Sequence, residues 1–146
     1  DEEVPDVAIK AEKPPKEWLD FAKELGITLP CGRPVLFGQS LYWAPEQMPE
    51  FSRLKVLRPG LELGEIKKGR FEPAHALALW LNSCKNQVSF PALSLEIQRY
   101  MHGDVVPCDK RGWCLVLADR YPIGWGKGDG TVLKNHYPKG LRRQIG

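Results

Sequence analysis

The sequence lacks a long hydrophobic run and a secretory signal. A transmembrane helix needs roughly 20 consecutive apolar residues, and no stretch approaches that length. With 42% hydrophobic and 27% charged residues, the 146-residue chain has the composition of a globular protein. We therefore expect a cytoplasmic protein with no membrane partner. Its first residue is Asp1 rather than Met, which favours a segment of a longer chain.

Close cysteine pairs are also missing. The four thiols are Cys31, Cys84, Cys108 and Cys114, and the nearest two lie six positions apart. Because zinc sites take ligands in close pairs such as CxxC, this spacing argues against a metal site. Without a secretory signal, the thiols are expected to stay reduced.

The common catalytic motifs are absent as well. The sequence has no GxxxxGK[ST] loop, no GxSxG elbow and no HExxH helix. Trp125–Gly130, WGKGDG, has the glycines of a phosphate-binding loop, but a short strand and a turn follow it where such loops require a helix. We therefore expect a binding module with no catalytic residue of its own.

Charge is present but unevenly distributed. The net charge of the chain is +3, with −3 over Asp1–Glu17 and +4 over each of Arg53–Arg70 and Tyr121–Gly146. Two basic segments on a nearly neutral chain indicate an anionic partner.

Hydrophobic periodicity predicts three short helices. The first follows Pro15, buries a stripe through Trp18, Phe21, Ala22 and Leu25, and ends at Gly26. The other two are expected over Glu72–Ser83 and from an N-cap at Ser94 to Met101. The buried stripe predicted for the second helix comprises Ala76, Leu77, Trp80, Leu81 and Cys84.

Short apolar runs bounded by turn residues predict strands around these helices. The expected strands are Val35–Phe37, Leu41–Trp43, Leu54–Leu57, Leu61–Ile66 with a bulge near Gly64, Val105–Pro107, Trp113–Ala118, Ile123–Lys127 and Thr131–Leu133. Their mixed order, without a parallel βαβ repeat, indicates an α+β fold class. We expect a flexible acidic, Pro-rich linker over residues 1–15, a first small subdomain over 16–90 and a barrel-type second subdomain over 91–146.

The C-terminal segment is the most informative part of the chain. Over Lys134–Arg143, lysines, a glycine, a histidine and a tyrosine interleave without helical period. Glycine lets a backbone approach a ligand closely, and cations beside aromatic rings suit phosphates and unstacked bases. This segment therefore predicts RNA binding.

Two stretches resemble a known family. The run Gly124–Arg142, GWGKGDGTVLKNHYPKGLR, is similar to the C-terminal signature of bacterial ribosomal RNA cytosine-C5 methyltransferases of the Sun and small-subunit methyltransferase F type. Leu57–Leu81, LRPGLELGEIKKGRFEPAHALALWL, resembles the segment that these proteins carry just upstream. The chain departs from the family at Arg120, where a glycine commonly follows the hairpin aspartate, and at Ala74, where a serine is common.

The resemblance implies a PUA-like RNA-binding domain at the C-terminus of an rRNA methyltransferase. It further implies S-adenosylmethionine in a catalytic domain elsewhere in the parent enzyme, with ribosomal RNA, or the small ribosomal subunit, and that domain as partners. Cys31 and Cys108 follow prolines, as a catalytic cysteine of the family does. Neither has a glycine-rich strand–helix unit beside it to hold the cofactor, so we expect no methyl transfer by this chain and no cofactor in it.

The candidate RNA-binding residues come from both basic segments. Lysines and arginines would neutralise phosphates, while Tyr137, His136 or Trp125 could stack on a base and Asn135 could bind a base edge or a ribose hydroxyl. The full set is Lys67, Lys68, Arg70, His75, Trp125, Lys127, Lys134, Asn135, His136, Tyr137, Lys139, Arg142 and Arg143.

Two alternatives stay open. In a metal-free nuclease, His136 would be the general base and Lys134 or Lys139 would stabilise a phosphoryl transition state. In a docking module, Tyr137 and Trp125 would pack inward, Asn135 and His136 would hold turns, and the surface would bind the protein's own catalytic domain.

Overall fold

Two five-stranded sheets form the framework of the structure, a computed structural model that describes residues 9–10, 13–46 and 60–143. The chain divides after Leu77 into two units, and each unit contains one of the sheets. The mixed sheets and three short helices of the described residues confirm the α+β class. No helix in this part of the chain is long and apolar enough to cross a membrane.

The first unit is built on an antiparallel sheet in the order β1-β2-β3-β4-β5. Its elements are β1 Ile9–Lys10, α1 Lys16–Leu25, β2 Gly32–Phe37, β3 Ser40–Pro45, β4 Leu61–Lys67 and β5 Arg70–Pro73, and α2 His75–Trp80 contains the division between the units. Residues 1–8, 11 and 12 lie outside the described residues, so the flexible linker expected over 1–15 stays a prediction. Within that range the structure describes β1, which pairs with β2. The strand expected at Leu54–Leu57 also lies outside them.

The first helix matches its sequence pattern. Trp18, Phe21 and Leu25 are buried, and Gly26 at φ 68° caps the helix by donating its N–H to the carbonyls of Ala22 and Lys23. The Trp18 ring lies 5.3 Å from the Phe71 ring, centroid to centroid, which joins α1 to β5. An aromatic cluster is therefore the core of this unit.

The predicted bulge near Gly64 is confirmed. Leu41 pairs with Gly64, but the next residue, Tyr42, pairs with Glu62, which leaves Leu63 as the extra residue of β4.

The second helix is shorter than predicted. Residues expected to open it, Glu72 and Pro73, instead pair with β4 as part of β5, so the helix begins only at His75. The buried stripe changes accordingly. Trp80, expected in the core, is 43% exposed, whereas the buried residues are Leu77, Ala78 and Leu81.

The second unit has its sheet in the order β6-β8-β9-β10-β7, in which only the β6–β8 pair is parallel among the described strands. Its elements are β6 Gln87–Phe90, α3 Leu95–His102, β7 Val106–Pro107, β8 Arg111–Ala118, β9 Tyr121–Asp129, β10 Val132–Asn135 and a 3-10 helix at Lys139–Leu141. The subdomain limits expected from the sequence stay a prediction, and β6 belongs to this second sheet.

The β8–β9 hairpin extends further than expected. The second strand, expected over Ile123–Lys127, continues through the glycine-rich stretch as far as Asp129. At the other end, the turn is Asp119–Arg120, and Asp119 takes the positive φ of 56°. Aspartate tolerates this conformation better than most residues, so Arg120 does not disturb the turn.

Helix α3 is capped as predicted and carries the central core residue of this unit. The Ser94 side chain accepts a hydrogen bond from the Ile97 N–H at 3.3 Å, and Gly103 at φ 106° ends the helix. Tyr100 is fully buried, and its hydroxyl donates to the carbonyl of Trp125 at 2.8 Å.

The glycines beside Trp125 make room for this core. A Cβ on Gly124 would collide with the Tyr100 hydroxyl, and one on Gly126 would collide with the Leu133 side chain. The sequence suggests that these glycines admit a ligand, but on this face they admit the protein's own side chains.

Trp18 and Trp80 differ in exposure, so replacing each with alanine should change stability unequally. Trp18→Ala should lower the free energy of unfolding by about 3–5 kcal/mol, because Trp18 is 3% exposed and removing its ring leaves a cavity. Trp80→Ala should cost less than about 1.5 kcal/mol, since much of its ring is already in solvent. Urea denaturation of both variants checks this, and equal losses would show that Trp80 is a core residue.

The Gly124–Tyr100 contact predicts coupled substitutions. Gly124→Ala should destabilise the protein by about 1–3 kcal/mol through overpacking. Tyr100→Phe should cost about 0.5–1.5 kcal/mol, because the Trp125 carbonyl keeps its bond from the His136 N–H at 3.2 Å.

The double variant should lose less than the sum of the two, since the phenylalanine removes the atom that the new methyl group meets first. Gly140→Ala is the control, because a Cβ there meets nothing within 4 Å. Additive losses in urea denaturation would contradict the contact.

Candidate nucleic-acid interface

Asn135 is a structural clamp rather than a reader of base edges. Its side-chain amide donates to the carbonyl of Tyr100 at 2.8 Å and to that of Asp104 at 2.9 Å. Its side-chain oxygen accepts the Tyr137 N–H at 2.9 Å. Because both N–H donors of the amide are used, the predicted hydrogen bond to RNA is replaced by bonds that fix the end of α3 to β10.

The residues after Tyr137 are held against the same helix. Arg142 donates from Nε to the Tyr137 carbonyl at 3.2 Å, and the Arg143 N–H donates to the Met101 carbonyl at 2.8 Å. His102 Nδ1 lies 2.6 Å from the Arg143 carbonyl oxygen. The Arg143 side chain is exposed and that of Arg142 is partly exposed, so both remain candidates for phosphate contact.

Two of the three rings expected to stack on a base are in the core, and the third, His136, is only partly buried. Trp125 is 2% exposed and Tyr137 is 9% exposed, and the Tyr137 ring packs against Tyr100 with centroids 5.2 Å apart. A buried ring offers no face to a base, so the structure corrects the stacking role predicted for both.

A row of three outward side chains crosses the sheet on the face opposite to Leu133. Trp125, two positions from Lys127 along β9, lies on the same face as the row but is buried. Trp113 of β8 pairs with Lys127 of β9, which pairs with Lys134 of β10. Directly opposed residues in antiparallel strands point to the same face, so these three side chains are neighbours. We call them the outward row. Lys127 and Lys134 are exposed, and Trp113 is partly exposed.

Two polar side chains contact the Trp113 ring. The Lys127 ammonium lies over its ring, 5.2 Å from the centroid, and the His136 ring meets it at 4.6 Å with an interplanar angle of 63°. Trp113 was not among the predicted site residues, because it opens an apolar run that predicts a buried strand. The cross-strand lysine would have revealed it only if the hairpin register had been known.

The carboxylate nearest to this row in sequence is engaged elsewhere. Asp129 accepts the backbone N–H groups of Val132 and Thr131, each at 2.9 Å, and these bonds hold the pKa of its carboxyl below the usual value. Asp129 also pairs in register with Arg111, which adds to the lowering.

Lys127 and Lys134 have no carboxylate partner in the part of the chain that the structure describes. The salt bridges found there involve Lys16 and Lys67. Like charges placed directly opposite each other on a sheet repel. The outward row is therefore a cationic surface whose lysines form no salt bridge with the described residues.

Exposed lysines and arginines also occur in the first unit, at the β4–β5 turn. Lys67 binds Glu72 at 3.0 Å and Glu65 at 3.3 Å, and these bonds raise its pKa. Lys68, at φ 43°, and Arg70 are exposed and make no such bond among the described residues. A surface depression of about 510 Å³ is lined by Gln39, Lys67, Lys68 and Arg70. Two of the three predicted cations are thus available to an anion.

His75 and Lys139 differ in their availability. His75 opens α2 and is partly buried, and burial lowers the pKa of its imidazole, which favours the neutral form. A neutral histidine attracts phosphate weakly. Lys139 is exposed on the 3-10 helix of the second unit. Within the described residues, no cluster of His, Cys, Asp and Glu is placed to hold a metal.

Two family models match the chain. Residues 20–81 match the RsmF rRNA methyltransferase first C-terminal domain, and residues 89–143 match the PUA domain of methyltransferase RsmF. The first range falls mainly in the first unit and the second range within the second unit. Both are C-terminal, non-catalytic parts of that methyltransferase, and the second match confirms the expected PUA-like module. The chain therefore belongs to the RsmF rRNA methyltransferase family, of which it comprises the first C-terminal domain and the PUA domain.

Proposed function

We propose that this chain binds ribosomal RNA for an enzyme that converts cytosine to 5-methylcytosine in the small ribosomal subunit. In this proposal, S-adenosylmethionine and the catalytic residues belong to a catalytic domain of the same protein, which works in the cytoplasm. That domain must reach a cytosine inside folded RNA, which requires the base to be exposed. The chain would grip the flanking RNA and so fix which cytosine enters the active site.

The observation that carries the proposal is the pair Lys127 and Lys134. The two ammonium groups extend from directly opposed, exposed positions on neighbouring strands, without a carboxylate partner in the described residues. This arrangement costs stability in the free protein. A phosphate backbone would remove that cost by neutralising both charges, and it would release counterions from the RNA.

Other cations extend the binding surface within each unit. In the second unit, Lys139 and Arg143 are exposed near the end of α3. In the first unit, Lys68 and Arg70 border the surface depression. These side chains would contribute sequence-independent phosphate contacts and would position the RNA without reading its bases.

Docking on the catalytic domain is a second candidate, favoured by an exposed apolar surface beside the β8–β9 turn. Leu93 is 93% exposed and Tyr121 is 64% exposed, and Asp119 joins their segments by accepting the Ala92 N–H at 3.1 Å. Exposed apolar surface of this kind is typical of protein contacts. Association with a separately produced catalytic domain in the absence of RNA, weakened by Leu93→Ser, would favour this role.

RNA binding predicts a definite salt dependence. Replacing Lys127 and Lys134 with alanine should weaken binding to small-subunit rRNA fragments. The slope of log K against log salt should become shallower by roughly 0.7 per lysine for single-stranded RNA. Fluorescence anisotropy between about 50 and 200 mM salt measures both quantities. The control is Lys23→Ala with Lys85→Ala, which removes the same charge from two other exposed positions.

Each outcome of this titration distinguishes RNA binding by the outward row from the other candidate functions. If the outward-row variant binds with the affinity and slope of the unmodified chain, the row does not grip RNA and docking becomes the better account. Equal losses in the control variant would indicate attraction by net charge alone. Cleavage of the RNA in the presence of a chelator would favour the nuclease alternative.

A further inference from the structure

Trp113 is held rigidly at the edge of the outward row. Asn86 precedes β6, and its side-chain amide donates to the Arg111 carbonyl at 2.8 Å and to the Trp113 carbonyl at 2.7 Å. On the other side, Trp113 pairs with Lys127 of β9. The backbone beneath the indole is thus fixed from both sides, so little conformational freedom remains to be lost when a ligand binds.

The Lys127 ammonium can be displaced by a ligand from the face of the Trp113 ring that it covers. Lys127 is exposed, and its ammonium lies 5.2 Å from the ring centroid at the end of a flexible stem. A cation over an aromatic ring at an exposed site is a weak contact, weaker than a nucleic-acid base stacked on the same ring. The lysine would also keep a favourable interaction by turning from the ring to a phosphate.

We infer that Trp113 is the stacking platform for one unpaired RNA base, and that Lys127 moves from the indole to the phosphate backbone when the base arrives. This inference rests on the proposed RNA binding and adds the class of nucleotide that is recognised. Lys134, the next side chain in the row, would take a neighbouring phosphate. A base inside a duplex is already stacked on its neighbours, so the platform favours single-stranded RNA.

Other aromatic residues of this unit fit the role less well. Trp125 and Tyr137 are buried, and Trp80, although 43% exposed, belongs to α2 and not to the sheet that carries the lysines. Tyr121 is exposed and has Arg120 at 5.8 Å from its ring, but it pairs with Ala118 at the hairpin turn. No lysine row continues from it across the sheet, which makes Tyr121 a matched control: an exposed ring with a cation beside it, outside the row.

The experiment compares the affinity of the full chain for a single-stranded RNA and for a duplex of the same sequence at one salt concentration. Trp113→Leu should weaken single-strand binding about 5- to 150-fold, the loss typical of removing one base-stacking ring. Duplex affinity should change less than about twofold, and the salt slope should stay the same, because no charge is removed. Trp113→Phe should retain most of the single-strand affinity, and Tyr121→Leu should have little effect.

Lys127→Ala should produce the complementary pattern. The salt slope should become shallower by roughly 0.7, while the preference for single-stranded RNA remains, since the indole is kept. Loss of the preference in this variant would contradict the separation of the two roles.

Ultraviolet cross-linking of the unmodified complex gives a measurement that needs no variant. Trypsin releases Gly112–Arg120, GWCLVLADR, in which Trp113 is the only aromatic residue. The cross-linked nucleotide is expected on this peptide at Trp113. Cys114, the other photoreactive side chain there, is fully buried. A cross-link map in which Trp113 carries no nucleotide overturns the inference.

The result that would contradict the Trp113 platform differs from the result that would contradict the proposed RNA binding. If Trp113→Leu binds single strands as well as the unmodified chain, or loses single-strand and duplex affinity equally, the platform is wrong while the salt titration still supports RNA binding. If the unmodified chain binds neither the single-stranded RNA nor the duplex at low salt, both the Trp113 platform and the proposed RNA binding are wrong.

Discussion

The second unit depends on the contact between Tyr100 and the backbone of β9. The ring reaches the strand because Gly124 has no side chain, and the hydroxyl donates to the Trp125 carbonyl at 2.8 Å. Burial raises the pKa of this hydroxyl, so it stays protonated and keeps donating. Asn135 then binds the Tyr100 carbonyl, which fixes the end of α3 to β10. The contact of one tyrosine with one glycine thus positions the strands that carry the outward row.

Strand alternation divides the C-terminal segment into two kinds of residue. Leu133 and Asn135 lie inward, in the core and in the clamp, whereas Lys134 between them is exposed on the opposite face. A motif that looks uniform in sequence therefore carries packing residues and an exposed cation at alternate positions of β10. This explains why Leu133 is buried while Lys134 beside it stays in solvent.

Features that depend on neighbouring residues could be predicted from the sequence, whereas the pairing register between strands could not. The caps of α1 and α3 and the bulge at Gly64 rest on neighbouring residues, and the structure has them. The start of α2 was wrong because pairing with β4 extends a strand through Pro73, a long-range effect. Trp113 was missed for a similar reason. Counting back from the Asp119–Arg120 turn places it opposite Gly126, but the hairpin register shifts at Val116 and Leu117, which brings it opposite Lys127.

Under the proposed function, the surface that results grips RNA but has little with which to read sequence. Lysines bind phosphates whatever the base, and an indole stacks on any base because every base has an aromatic face. Asn135, the side chain best suited to a base edge, spends both amide donors on the protein itself. Under the proposed function, this region therefore supplies affinity and a preference for unpaired nucleotides. The choice of cytosine must then come from the catalytic pocket, together with the distance and direction at which the gripped strand leaves the outward row.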